Sequence, residues 1–271
     1  MKAQLTAMYQ SYYTDNGKCR YFAECQKELH DSTCKFCSDK IMIGAEYGKS
    51  GIPKILCVGL EGVKGEENLS ENRIVNGILE PSLTAANNHY LGVRYVLSYL
   101  LGEFTHTPKP QSCSAAELVR DSYTDHLKCY ALSNCYKCAF GSGGKRSGLQ
   151  HTEAMKVHCQ DILFDEINTL RPDVVVIQFV SNKPAKFWKN IQTQFGINHK
   201  AILLKGDGIH NNTSAYQCAY DDGQTFYLVW TYHGNGGRPL KFRSDTYLKN
   251  ELNPVLDEVI GRLKTDPSFT K

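Results

Sequence analysis

The chain has 271 residues, 41% of them hydrophobic, and a formal net charge of +3. Length and apolar content suit one large α/β domain, and so weak a charge excludes nucleic-acid binding as a property of overall balance, leaving it to local basic patches. No apolar run reaches the roughly 20 residues of a membrane span, and the opening "MKAQLTAMYQSYY" lacks the apolar centre of a secretion signal, so a cytoplasmic protein without a membrane partner is expected.

Up to residue 50 the chain is polar, and its one strong feature is Cys34-Lys-Phe-Cys37. The apolar run "KILCVG" (54–59) predicts a first strand. A long segment, "LSENRIVNGILEPSLTAANN" (69–88), follows and suggests a lid or a widened pocket mouth, and "LGVRYVLSYLL" then repeats apolar residues at helical spacing. Beyond the loop "HTPKPQSCSAAE", the run "CYALSN" (129–134) predicts a strand that delivers Asn134, Cys135 and Cys138, and the glycine-rich "GSGGKRSG" is a basic loop.

The segment "TEAMKVHCQDILFDEINTL" places Cys159, Ile162, Leu163, Glu166, Ile167 and Leu170 along one side of a helix that Pro172 stops. Further strands are predicted at "DVVVIQF" (173–179), "KAILL" (200–204) and "FYLVWTYH" (226–233). Helices are expected over "NKPAKFWKNIQTQF" and over a tail carrying Leu248, Leu252, Val255, Leu256, Val259, Ile260 and Leu263. Continuous rather than alternating apolar strands are buried on both faces, so the alternation of strand and helix predicts a three-layer α/β/α sandwich around a mostly parallel sheet.

Ligands of open parallel sheets bind beyond the carboxyl ends of the strands. The residues expected there are Leu60, Glu61 and Gly62, then Asn134, then Gln178 to Val180, and finally His233. A carboxylate, an amide and an imidazole on one rim suggest a small polar pocket.

Eleven cysteines are many for such a chain, and an odd number argues against full disulfide pairing, which leaves metal as the better account. Cys57 and Cys129, within apolar strands, read as small buried hydrophobes. The turn of Cys34 and Cys37 needs a second pair. Cys135 with Cys138 would complete a tetrahedral zinc site, whereas Cys138 with Cys159 would complete the four thiolates of an iron–sulfur cluster. Spacing alone leaves both open and leans to zinc.

With these residues on the page, the chain resembles the iron–sulfur branches of the uracil-DNA glycosylase superfamily. Those enzymes carry an early Cys-x-x-Cys, a first strand ending in GEAPG, a PFVG segment opening a helix, a strand ending in TNVVKC, a helix Cys and a late TYHPS. The counterparts here run in the same order: "CKFC" (34–37), "ILCVGLEG" (55–62), "HYLGVRYVLSYLL" (89–101), "LSNCYKC" (132–138), Cys159 before "LRPDVVVIQF" (170–179), and "TYHGN" (231–235). The resemblance implies a 4Fe-4S cluster on Cys34, Cys37, Cys138 and Cys159, structural in role, with Cys135 a bystander. It also implies a monomer acting on DNA.

By the same resemblance, Asn134 would read the edge of an extruded pyrimidine. Tyr90 would stack on that base, and Leu60 stands at the second position of the GEAPG counterpart, beside the base. His233 would stabilise charge developing on the base O2. Glu61 stands where cluster-free relatives carry a catalytic Asp, and is expected to act as general base or to stabilise the cationic sugar. Lys145 and Arg146, and Arg238, Lys241 and Arg243, form two basic loops suited to phosphates. Tyr in place of Phe at 90, Gly234-Asn235 after the histidine and the long segment 69–88 loosen the expected substrate from uracil towards a bulky C5-modified pyrimidine, such as a glucosylated cytosine of phage DNA. Repair and anti-phage defence are the corresponding roles. A branch that traps its product covalently carries "GKRRIH" at this loop; "GKRSGLQH" has no His at the matching position, so covalent trapping is not expected, His151 being the one alternative. The other readings are a non-catalytic, metal-stabilised nucleic-acid-binding module and a zinc-stabilised protein binding a nucleotide-like small molecule.

Overall fold

The computed structural model describes residues 1–14, 19–27, 41–61, 74–75, 78–79, 88–118, 121–137, 152–179, 185–196, 202–205, 213–232 and 244–266. The chain divides into two compact units. One comprises Met1–Ile41, Gly59–Asn72 and Ser133–Arg171, and the other Met42–Val58, Arg73–Leu132 and Pro172–Lys271.

The strands are β1 (Met42–Ile43), β2 (Ile55–Glu61), a hairpin of β3 (Ile74–Val75) and β4 (Ile78–Leu79), β5 (Tyr130–Tyr136), β6 (Val174–Phe179), β7 (Ile202–Lys205), β8 (Ser214–Ala219) and β9 (Thr225–Tyr232). Apart from the hairpin they form one seven-stranded sheet in the order β1-β5-β2-β6-β9-β8-β7. At its centre β2, β6 and β9 are parallel. Antiparallel pairs lie towards both margins, β1 on β5 at one and β9 with β8 and β8 with β7 at the other. The chain is therefore α/β with a mixed, mostly parallel sheet, as expected, and its antiparallel margins are what sequence patterning did not anticipate.

The central strands form because their apolar runs have somewhere to go on both faces: Ile55 to Val58 and Val174 to Ile177 are each no more than 1% exposed. The Asp173 carboxylate accepts the Lys54 amide (2.7 Å) and the Asp173 amide donates to the Lys54 carbonyl (2.8 Å), which aligns the starts of β2 and β6. On one face, Ile55, Cys57, Val174, Val176, Tyr227 and Val229 pack with two helices, α3 (Asn88–Thr105) and α9 (Asn253–Thr265). Burying each such side chain is worth roughly 1.5–3 kcal/mol. Tyr95 in α3 donates to Asn253 Oδ1 (2.9 Å), tying these helices together.

The remaining helices are α1 (Lys2–Tyr12), α2 (Phe22–Lys27), the short α4 (Ala115–Leu118) and α5 (Asp121–Thr124), α6 (Glu153–Leu170), α7 (Ala185–Gln194) and α8 (Asp245–Tyr247). A π turn, Leu248–Leu252, joins α8 to α9. Pro254 at the start of α9 has no amide hydrogen to give to the preceding turn, which accounts for the altered register. The segment 69–88, read as a lid or widened mouth, contains the β3–β4 hairpin; β4 lies against the 3-10 turn Asp125–Lys128. No helix among the described residues is long and apolar enough to cross a membrane.

Strand β1 approaches the start of β5 closely because residue 44 has no side chain. The Gly44 amide donates to the Tyr130 carbonyl (2.9 Å), and a Cβ built at Gly44 would stand 2.2 Å from the Lys128 carbonyl oxygen. Gly44→Ala is expected to cost about 1–3 kcal/mol by forcing the two backbones apart. Urea denaturation of the variant beside the parent measures it.

Candidate functional site

The unit built from residues 1–41, 59–72 and 133–171 holds the end of β2, the end of β5, and α1, α2 and α6. Its long helix α6 is defined at both ends. The Thr152 hydroxyl accepts the Met155 amide (3.0 Å) as a cap, and Arg171 turns left-handed (φ 51°) as the chain leaves for Pro172. The face of α6 carrying Cys159, Ile162, Leu163, Glu166 and Ile167 is buried, as its spacing predicts.

Glu166 lies on that buried face with no exposure at all. An ionised carboxylate there must be fully paired, and four donor contacts meet it. Lys137 Nζ donates to both of its oxygens (2.8 and 2.7 Å), Ser133 Oγ to Oε2 (2.6 Å) and the Tyr9 hydroxyl to Oε1 (2.6 Å). Lys137, itself 1% exposed, also donates to Ser133 Oγ (2.6 Å). The Tyr9 oxygen in turn accepts the Ile41 amide (2.7 Å). Burial and the Glu166 charge push the Tyr9 phenol far above its ordinary range, so it keeps its proton and remains a donor. One carboxylate thus gathers the first helix, residue 41, the middle of β5 and the residue just before Cys138. A second tyrosine reinforces the attachment of α1, Tyr12 donating to Asp165 Oδ2 (2.6 Å).

Alternation along β5 turns Ser133, Cys135 and Lys137 to one side and Asn134 to the other. Asn134 is 6% exposed, so the amide expected to read a base is a buried group at the far half of its strand. Strand β2 neighbours β5 and ends on Leu60 and Glu61. In the other unit β9 runs parallel to β6 and ends at Tyr232, one residue before His233. Tyr90 lies in the first turn of α3. His233, Lys145, Arg146, Arg238, Lys241 and Arg243 lie outside the described residues.

Of the four cysteines that the resemblance assigns to a cluster, Cys34, Cys37 and Cys138 also lie outside the described residues. Among the described residues no group of three or more His, Cys, Asp or Glu side chains is placed to hold a metal ion. Cys159 is described, and its surroundings fit a cluster thiolate. It is 3% exposed, and its sulfur accepts the backbone amide of Lys137 (3.5 Å), the residue that leads directly into Cys138. Amide hydrogen bonds to sulfur are among the interactions that tune such thiolates. Two further buried thiols feel Cys159: burial first, and then Cys159, raise Cys135 well above the thiol range and push Cys25 up to about 12. Cys135, a ligand in the zinc reading and a bystander in the cluster reading, thus sits buried in β5 beside Cys159.

On the outer side of α6, His158 stacks on Tyr21 (3.7 Å between ring centres) and lies 3.2 Å from a Glu24 oxygen, which seats α2 against the residue preceding Cys159. No family model matches the chain, and no curated protein does.

Sequence reading missed Lys137, Ser133 and Tyr9 as a group. The signal was present in Glu166, a carboxylate on the apolar side of a helix, which has to be met by a buried cation. Lys137→Met is expected to cost about 3–5 kcal/mol, because it leaves Glu166 charged and unmatched. Lys137→Met with Glu166→Gln should cost less than the sum of the two single changes, since no charge is then buried. Guanidinium denaturation of the three variants completes that cycle.

Proposed function

We propose that this protein is a DNA glycosylase that extrudes a pyrimidine from DNA and hydrolyses its N-glycosidic bond, leaving an abasic site. The observation that carries the reading is that one compact unit holds both the end of β2, with Leu60 and Glu61, and the far half of β5, with the buried Asn134. Parallel sheets place their ligands beyond the carboxyl ends of their strands. The order of the cysteine and strand-end motifs supports the same reading, within a three-layer sandwich of the uracil-DNA glycosylase kind.

In this reading the Asn134 carboxamide offers a donor and an acceptor to the edge of the base, Tyr90 supplies a face for it, and Leu60 is a further base-binding residue. As the glycosidic bond lengthens, electrons pass to the base and the sugar becomes cationic. His233 donates to the oxygen where negative charge collects, and Glu61 opposes the cation and accepts a proton from the attacking water. The reaction consumes one water and needs no covalent enzyme intermediate. Lys145, Arg146, Arg238, Lys241 and Arg243 hold phosphates in a salt-sensitive, sequence-independent way. A 4Fe-4S cluster on Cys34, Cys37, Cys138 and Cys159, or zinc on Cys34, Cys37, Cys135 and Cys138, would hold the early cysteine turn against the strand that carries Asn134. Its contribution is architectural. The base is uracil or a C5-modified cytosine, glucosylated forms included, and the setting is repair or anti-phage defence.

Abasic-site formation on duplexes containing uracil, thymine, hydroxymethylcytosine or glucosylated hydroxymethylcytosine tests the proposal, with anaerobically purified protein. At least one duplex should lose its base, and Glu61→Ala should slow that reaction by about 10²- to 10⁴-fold without weakening DNA binding. Binding without cleavage of any member would overturn the enzyme reading in favour of a binding module. Iron and acid-labile sulfide should be present in equal amounts, and Cys159→Ser should lower both; zinc alone would overturn the cluster assignment.

A further inference from the structure

The far half of β5 is gripped by side chains on one of its faces. Among the described residues, strand β1 pairs with β5 only at Ala131 and Leu132, so that ladder stops short of Asn134. Ser133 and Lys137 hold the strand from there on. Ser133 Oγ donates to Glu166 Oε2 (2.6 Å) and accepts from Lys137 Nζ (2.6 Å), while Lys137 Nζ also donates to both Glu166 oxygens (2.8 and 2.7 Å). Asn134 stands between these two anchors, one residue after the first and three before the second, and alternation turns it to the opposite face. All four residues belong to the same compact unit.

Filling a core does not require such a clamp. Apolar side chains at 133, 137 and 166 would occupy the space without burying a charge, an exchange that is often neutral or stabilising. They would not supply direction. Apolar contacts allow neighbouring groups to slide, whereas a hydrogen bond weakens steeply away from its preferred line and length. A strand tied at 133 and 137 to one carboxylate is therefore fixed along its own axis. Reading the edge of a base depends on that, because two hydrogen bonds have to form together, and a displacement of about 1 Å can cost about 10²-fold in rate.

We infer that Ser133 and Lys137 are positioning residues that hold the Asn134 carboxamide in the register needed to tell a 4-oxo from a 4-amino pyrimidine. This rests on the glycosylase reading, in which Asn134 takes the ring edge. The two edges are inverses: a uracil-type base offers an acceptor at O4 and a donor at N3, and a cytosine-type base a donor at N4 and an acceptor at N3. A carboxamide carries one group of each kind and matches whichever edge it is set to meet. Held in one register, it leaves the wrong edge with unmatched groups, which is the basis of strong discrimination. A strand free to shift lets it meet either.

The experiment uses three pairs of duplexes whose target bases differ only at the ring edge: uracil with cytosine, their 5-hydroxymethyl forms, and the glucosylated 5-hydroxymethyl forms. The ratio of kcat/KM within a pair is the readout. The same ratio is taken from Kd on duplexes with 2′-fluorinated versions of each pair, which bind without being cleaved, so a member that the parent never cleaves still gives a value. Ser133→Ala leaves Lys137 and Glu166 paired, and the double change Lys137→Met with Glu166→Gln buries no charge. Both are expected to lower kcat/KM on the preferred member by about 10- to 100-fold and to narrow the ratio by about tenfold or more. Ser133→Thr, which keeps the hydroxyl, should stay within about threefold of the parent in rate and ratio. Ser133→Ala should melt only about 2–4 °C lower. Equal loss on both members with the ratio kept makes the clamp a structural support and overturns the inference. No change in either variant, a Ser133→Thr variant as impaired as Ser133→Ala, or a parent indifferent to the edge in every pair overturns it too, and each leaves the glycosylase reading standing. Absence of cleavage by the parent on all six duplexes overturns the glycosylase reading and this assignment with it.

Discussion

A single carboxylate with no exposed surface, Glu166, organises one of the two units of this chain. An unpaired charge in a protein interior is far costlier than any one hydrogen bond can offset. Glu166 is tolerated only because Lys137, Ser133 and Tyr9 all aim donors at it. That requirement couples parts of the molecule that have no other reason to agree. Helix α1 must present Tyr9, β5 must run far enough to present Ser133 and Lys137, and α6 must be in register to place Cys159 sulfur at the Lys137 amide. Swapping such a pair for well-packed apolar groups is often neutral or stabilising, so what the ion pair contributes here is geometry more than net stability.

Hydroxyls elsewhere in the interior pair with one another in the same way: the Tyr247 hydroxyl meets those of Thr231 (2.6 Å) and Thr213 (2.9 Å). Buried networks of this kind hold a framework in one arrangement.

Much of the framework was legible in the sequence, for a physical reason. Strands β2, β5, β6 and β9 are apolar on both faces, so their continuous runs stand out from helices and loops, and the observed spans lie within about two residues of the expected ones. The spacing of α6 showed its buried side. Strand β8 was not seen, because "SAYQCA" is partly exposed and mixes polar with apolar residues as an edge-side strand does. Its hairpin to β9 was nevertheless signalled by Asp222-Gly223, where Gly223 takes the positive φ (83°) that the turn requires. Strand β1 is two residues long, too short for any periodicity. At the candidate site, the ends of β2 and β9 could be placed from apolar runs alone, and Asn134 from the length of its strand. The partners of Glu166 could not, since Tyr9 lies 157 positions away and nothing local links the two. Gln178 stood among the strand-end polar residues, but its burial in β6 is seen only in the structure.

That separation of 157 positions has a consequence for how the chain is made. A ribosome delivers Tyr9 and Tyr12 first, and at about 5–20 residues per second their acceptors on α6 follow roughly 8 to 30 s later. Through that interval α1 has a tyrosine face and no partner, and Ile41 has nothing fixed to cap. The unit containing the first residues is therefore closed only after residue 166 has emerged, so its N-terminal segment is among the first parts to be synthesised and among the later ones to be locked.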